Sequence, residues 1–236
     1  MVVLQHSLIS LLVFGTIFSP EVPRFVMIVA NWLSGTILLL VIFPVVFDLA
    51  ILITAALKLR RVSPPRPLRY GIGVAALSLA AFAVSNAIRV PPVNEIEVAI
   101  RNLPREFEGY RMIQLTDLHI SRLFQAPWVE ELVARTNAQN ADLIVISGDL
   151  IDGDLTARRA DVEPLSGLRA RDGIFTIPGN HEYYFGHDDW MRRYQELGMT
   201  TISNGHVVVA RGDARLVVAG VNDLAATRHQ LVEPPM

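Results

Sequence analysis

From Phe25 to Leu57 the chain carries a single charged side chain, Asp48. A helix that is hydrophobic all round belongs in a bilayer or at the centre of a large core. Soluble cores rarely offer a stretch of this length without charge, so the run points to membrane insertion. It also belongs to a wider asymmetry. Residues 1–88 hold few charges outside one loop, whereas residues 89–236 have the Asp, Glu and Arg content of an ordinary soluble domain. The sequence therefore divides into a membrane region, 1–89, and a second domain, 90–236.

Three apolar segments lie in the first region. Leu8 to Ser19 is short, since a span needs roughly 20 residues. Extended back to Val2 it just reaches, with Gln5 and His6 inside. Phe25 to Leu57 is over-long for one span and has its best core at Ile37 to Leu57. Trp32 is placed as an interfacial anchor, and Pro44 is expected to kink the helix. Tyr70 to Ile88 is about one span long. These predict about three transmembrane helices and the lipid bilayer as a partner. A signal peptide would start with basic residues, and "MVVLQHS" has none. Asp48, an acid inside a span, is a functional candidate by default; a helix–helix contact or a place near the interface is the favoured reading. The loop "KLRRVSPPRPLR" concentrates Lys58, Arg60, Arg61, Arg66 and Arg69, against one Arg in Pro20 to Arg24. Basic loops stay cytoplasmic, so everything after Arg89 is expected outside the cytoplasm.

The net charge of −2 and the lack of a basic stripe give no sign of nucleic-acid binding. The chain has no cysteine, which excludes disulfides and thiolate metal sites.

In the second domain, "NEIEVAI" alternates apolar and polar residues and predicts a half-exposed strand. "YRMIQLT" predicts another strand. "PWVEELVARTNAQN" predicts a helix with Pro127 in its first turn. "DLIVIS", apolar throughout, predicts a strand buried on both faces. "RADVEPLSGLRA" is weakly helical, "GIFTIP" is a strand, and "DDWMRRYQELG" is a helix closed by Gly198. Short strands follow in "MTTIS", "HVVVAR" and "ARLVVAG". Strands alternating with helices, then strands in succession, imply an α/β domain with a parallel centre and a more antiparallel margin.

Polar clusters follow three of these strands. "LTDLHI" supplies Asp117 and His119, "SGDLIDGD" supplies Asp149 and Asp152, and "PGNHEYY" supplies Asn180 and His181. In open α/β sheets, ligands bind beyond the carboxyl ends of parallel strands. If the three strands are neighbours, the clusters meet at one edge. Carboxylate, amide and imidazole donors suit manganese, iron or zinc. One carboxylate, such as Asp149, can give an oxygen to each of two ions. Two ions roughly 3.5–4 Å apart clamp a phosphate ester during hydrolysis. Gly148 and Gly179 let the backbone approach closely.

The pattern "DLH … GDLID … GNHE" resembles the calcineurin-like metallophosphoesterase superfamily, with its D-x-H, G-D-x-x-D and G-N-H-[DE] motifs. It most resembles the bacterial membrane-anchored phosphodiesterase branch, over about Ile96 to Asp223. The resemblance implies a metallophosphoesterase-type α/β sandwich after the membrane helices. It implies that Asp117 and His119 bind a first metal, that Asp149 bridges both, and that Asn180 binds the second. His181 would contact the phosphate or protonate the leaving oxygen, with Asp152 orienting it. The implied chemistry is in-line attack on phosphorus by metal-activated hydroxide. An anchored position favours substrates at the membrane, such as lipid phosphates or envelope precursors.

The family pattern continues with a later histidine after another strand and then G-H-x-H. Neither is present, and His187, His206 and His229 lie in other contexts. The chain is thus expected to be C-terminally truncated and to hydrolyse little as given. A degenerate member that binds or regulates without metals is the main alternative; a transporter whose function lies in the spans is another. Tyr183 and Tyr184 are open between lining the substrate side and packing in the core. Glu182 is read as a cap, Asp154 as a turn acid and Arg122 as a surface residue.

Overall fold

The structure, a computed structural model, describes residues 21–60 and 66–228. The predicted span Leu8 to Ser19 and His229 lie outside the described residues. The chain forms two units, 1–89 and 90–236.

In the first unit, helix α1 (Arg24–Lys58) runs unbroken through Pro44 for 35 residues. Helix α2 (Arg66–Ala87) has 22. At 1.5 Å per residue they are about 52 Å and 33 Å long, and both are long and apolar enough to cross a bilayer. Gly35 lies against Ala80 and Asp48 pairs with Arg69 at 3.3 Å, so the helices run antiparallel. Their contact is made of small residues: Ser34, Thr36, Ala76 and Ala80 are buried. Small side chains let helices approach where lipid offers no hydrophobic drive between them. Trp32 donates its indole N–H to the Leu77 carbonyl at 3.0 Å, tying the two helices together. The Asp48–Arg69 pair makes Asp48 a helix–helix contact. Leu33, Leu40, Val45 and Leu52 are exposed.

The second unit is built on a parallel sheet of β1 (Met112–Leu115), β2 (Leu143–Ser147), β3 (Ile174–Ile177) and β4 (Thr200–Thr201), in that spatial order. Met112 pairs with Leu143, and Ile144 with Ile174. A separate antiparallel hairpin, β5 (Gly205–Arg211) and β6 (Ala214–Gly220), forms a second sheet. The antiparallel margin is thus a sheet of its own. Helices α3 (Ala126–Asn137), α4 (Leu155–Val162), α5 (Asn180–Tyr184), α6 (His187–Glu196) and α7 (Ala225–Arg228) complete the unit.

β2 explains the layering. Ile144 and Ile146 point into a core with Val129, Leu132 and Val133 of α3 and Trp190 and Tyr194 of α6. Leu143 packs on the other face with Phe175, Ile202 and Val209. Each fully buried Ile or Leu contributes about 1.5–3 kcal/mol, and a strand covered on both faces has to be apolar throughout. α3 forms because Val129, Leu132, Val133 and Thr136 fall on one face.

One local expectation is corrected. Glu95 to Ile100 form no strand, and Ile96, Val98 and Ile100 are exposed. A strand needs a neighbouring edge, and no described strand pairs with this segment. The weakly helical "RADVEPLSGLRA", interrupted as expected at Pro164 and Gly167, is the end of α4 followed by a 3-10 turn, Glu163–Gly167. Pro164 lacks the N–H that would continue α-helical bonding. In "PGNHEYY", Asn180 opens α5.

Candidate metal centre

Adjacent parallel strands present adjacent carboxyl ends. With β1, β2 and β3 side by side, the segments after Leu115, Ser147 and Ile177 meet at one edge. The first two are stitched together beyond the sheet. The amide of Asp117 donates to Gly148 O at 3.3 Å, His119 to Asp149 O at 3.0 Å, and Ile120 to Leu150 O at 2.8 Å. The third is joined through the His181 amide, which donates to Asp149 Oδ1 at 3.0 Å.

This stitching holds an uncommon backbone. Asp117, His119 and Asp149 have φ of 53°, 45° and 53°, a left-handed conformation that costs a non-glycine residue about 1–3 kcal/mol. Strained residues cluster where function over-determines geometry. Here they are three of the residues singled out from the sequence. The glycines are required by contact. A Cβ on Gly148 would lie 2.6 Å from Gly179 Cα, and one on Gly179 would lie 2.6 Å from Asp149 N.

At the centre is Asp152. Its Oδ1 lies 2.9 Å from His119 Nδ1 and 2.6 Å from His181 Nδ1. Both rings thereby turn their Nε2 atoms away from the carboxylate. The rings meet edge to face, centroids 4.6 Å apart. Bonding to Asp152 raises the pKa of His119 above its ordinary value against the opposing effect of burial. Burial lowers that of His181, but the bond to Asp152 outweighs it and the net shift is upward. Burial alone would raise Asp152; the two imidazoles reverse this and hold it below the ordinary carboxylate value. Asp152 is anchored from behind by Arg158, fully buried, whose Nε donates to its carbonyl at 2.9 Å. Arg158 also pairs with Asp161 at 3.1 Å, and Asp161 accepts from the first amide of α3 at 3.2 Å. Removing one partner of so buried a pair costs about 3–5 kcal/mol.

His119, Asp149 and His181 each place a ligand-capable atom within 4.8 Å of the others. Asn180 sits beside them; its amide nitrogen donates to Asp149 Oδ2 at 3.0 Å in the orientation that satisfies its neighbours. Asp117 stands at the rim, more than half exposed, with Oδ1 4.0 Å from His119 Nε2 and Oδ2 accepting from Thr116 Oγ1 at 2.5 Å. The geometry thus brings all six sequence-predicted residues to one edge. His181 lies in the same cluster as His119 and Asp149, and Asp152 bonds both histidines, His181 among them. The donors are oxygen and imidazole nitrogen, which fits a divalent ion of the manganese, iron or zinc type.

The remaining expectations sort by burial. Tyr183 packs with Ala225 and Ala226, whereas Tyr184 is exposed with its ring 5.7 Å from His181. Asp154 is the N-cap of α4, accepting from Ala157 N at 2.8 Å. His187 is buried and stacks on Tyr183 at 4.6 Å, and His206 is exposed on β5.

Sequence reasoning gave Glu182 too small a part. Its carboxylate, fully buried, accepts from the amides of Gly179 at 2.7 Å, Asp149 at 3.0 Å and Leu150 at 2.9 Å, and from Tyr194 Oη at 3.0 Å. The available signal was its place three residues into a helix that starts after Gly179, the return position of a capping box.

Residues 110–224 match the family description calcineurin-like phosphoesterase. The chain is 30% identical over 152 residues to a zebrafish (Danio rerio) protein named transmembrane protein with metallophosphoesterase domain, covering 63% of this chain and 35% of that protein. It is 30% identical over 175 residues to an uncharacterized metallophosphoesterase of Helicobacter pylori, covering 74% and 45%. A Bos taurus protein with the same name as the zebrafish one is 29% identical over 155 residues, covering 63% and 35%. The chain spans less than half the length of each of these relatives.

Proposed function

Because this chain carries a calcineurin-like metallophosphoesterase domain over residues 110–224, we propose that its second unit hydrolyses phosphate esters, phosphodiesters in particular, using divalent ions at the common edge of β1, β2 and β3. The observation that carries the reading is the convergence of His119, Asp149 and His181 within ligand distance of one another. His119, Asp149, Asn180 and, from the rim, Asp117 would hold the ions. Ions bound there supply Lewis acidity toward phosphoryl oxygens and lower the pKa of water.

The chain's own residues do the rest. Asp152 fixes the ring planes of His119 and His181 through their Nδ1 atoms. Nε2 of His181, on the far side of the ring from Asp152, would carry a proton to the leaving oxygen. Burial lowers its pKa, but the bond to Asp152 shifts it upward overall, the direction that suits a proton donor. The exposed ring of Tyr184 beside His181 marks the side on which the alcohol portion of a substrate would lie.

Two apolar helices and relatives named as transmembrane proteins support membrane association. The reading extends this to a multi-pass protein with the basic loop in the cytoplasm, the phosphoesterase unit outside it and a lipid-linked phosphate as substrate. Hydrolysis of a chromogenic aryl phosphodiester by the detergent-solubilised chain tests the chemistry. Weak manganese-dependent turnover that Asp149→Ala abolishes is expected; turnover unaffected by chelator overturns it. Reporter fusions at Pro65 test the topology, where a signal from outside the cytoplasm would sink it.

A further inference from the structure

The strained backbone at Asp117, His119 and Asp149 needs something rigid to hold it, and the bonds among the three segments lead back to one side chain. Asp117 N rests on Gly148 O and His119 N on Asp149 O. The peptide units of Asp149 and Leu150 are in turn held by Glu182, through Oε2 at 3.0 Å and Oε1 at 2.9 Å. Oε2 also takes the Gly179 amide at 2.7 Å, and Oε1 takes the hydroxyl of fully buried Tyr194 at 3.0 Å. Two donors meet each oxygen. A carboxylate offers about four lone-pair sites, and all four are used.

We propose that Glu182, braced by Tyr194, is the positioning residue that keeps the segments after β1, β2 and β3 in their strained register. Its carboxylate bonds the backbone amide of Asp149 and acts through Asp149 and its neighbours. Three of its four partners are backbone amides, which can only donate. The Tyr194 hydroxyl comes from α6, on the core side of the sheet. Glu182 thereby ties the loop edge to the hydrophobic core instead of leaving it on surface contacts. Glutamine is nearly the same size but would turn an NH2 group toward two of these donors. Glu182→Gln therefore breaks the anchor without opening a cavity.

The test is amide hydrogen exchange on the full chain in the absence of metal, followed by manganese titration. In Glu182→Gln, exchange should rise at least ten-fold at Asp149, Leu150 and Gly179. It should rise as well at Asp117 and His119, which do not touch Glu182, while α3 and the β5–β6 hairpin stay protected. Faster exchange confined to the three direct partners, or spread evenly over the unit, overturns the proposal. If Glu182→Gln does not fold, Tyr194→Phe decides: a smaller rise at the same five amides supports the anchor, and no rise refutes it. The second readout rests on the metal reading above, and a weaker manganese affinity of about ten-fold is expected. Unchanged affinity in a folded Glu182→Gln would also count against it. If the unsubstituted chain bound no manganese, the metal reading would fail while the exchange pattern still judged the anchor.

Discussion

The two ends of the parallel sheet are both acidic, and they treat their acids differently. At the end where β2 and β3 begin, Asp142 and Asp172 share one guanidinium. Arg211 reaches Asp142 at 2.5 Å and Asp172 at 2.8 Å, and it lies over the Tyr110 ring at 4.6 Å. Tyr110 also donates to Asp172 at 2.9 Å, and the Arg111 amide donates to Asp142 at 2.9 Å. Burial would raise the Asp142 carboxyl, but these donors outweigh it and hold it below its ordinary value. At the other end, Asp152 bonds two imidazoles, and His119 and Asp149 stand on a left-handed backbone. A guanidinium is always charged and fixes its partners; an imidazole titrates near neutrality and can exchange its proton for a metal. The first arrangement docks the β5–β6 hairpin onto the sheet. The second leaves ligand-capable atoms poised. Acid content alone does not distinguish structure from chemistry; the partners do.

The comparison breaks first at Asp149. Asp149→Ala should reduce manganese affinity and any metal-dependent hydrolysis by about a hundred-fold or more, with circular dichroism unchanged. If affinity and activity survive, this edge is not the poised end. The complementary experiment is Arg211→Ala. It leaves two largely buried carboxylates without their shared cation, so the thermal midpoint should fall by several degrees while manganese affinity holds. A loss of affinity with no loss of stability would reverse the assignment of the two ends.

A pH series sharpens the contrast. His119 and His181 titrate above 6.5 in the folded protein. Their pairing with Asp152 therefore stabilises fully below about 6.5 and is lost as pH rises through the raised values. Asp152 titrates below 3.8, so its contribution is present above about 3.8 and is lost as pH falls through the lowered value. Between these limits the metal-free unit gains most from this end. Thermal melts in chelator should show a midpoint that declines from pH 6 towards pH 9, and Asp152→Asn should flatten the decline. Arg211 does not titrate in this range, so a decline that persists in Asp152→Asn would place its source elsewhere. The smallest effect is expected at Asp154. Asp154→Ala removes the N-cap of α4 and should cost about 1 kcal/mol of stability by denaturant unfolding. Manganese affinity should not change, although Asp154 lies two positions from Asp152.

The sequence made the poised end legible and left the other end out of sight. Asp117, His119, Asp149, Asp152, Asn180 and His181 each follow an apolar strand, and strand order alone brings such positions together. Asp142, Asp172, Arg211 and Tyr110 are joined by packing between two sheets, which no local pattern encodes. Glu182 was half-legible, since its place three residues into a helix suggests a cap but not three further bonds. Period two at Ile96, Val98 and Ile100 signalled a strand, yet pairing depends on a neighbour that local pattern cannot supply. The unbroken α1 shows the converse, because its long apolar run predicts a helix by itself.

The central claim is that the edge shared by β1, β2 and β3 binds divalent ions through imidazole and carboxylate. Pulsed electron paramagnetic resonance of manganese added to the full chain tests it most directly. The account predicts bound manganese with nitrogen coupling from histidine, diminished in His119→Ala and with the ion itself released in Asp149→Ala. Manganese that stays in solution, or that binds without nitrogen coupling and ignores both substitutions, would contradict it.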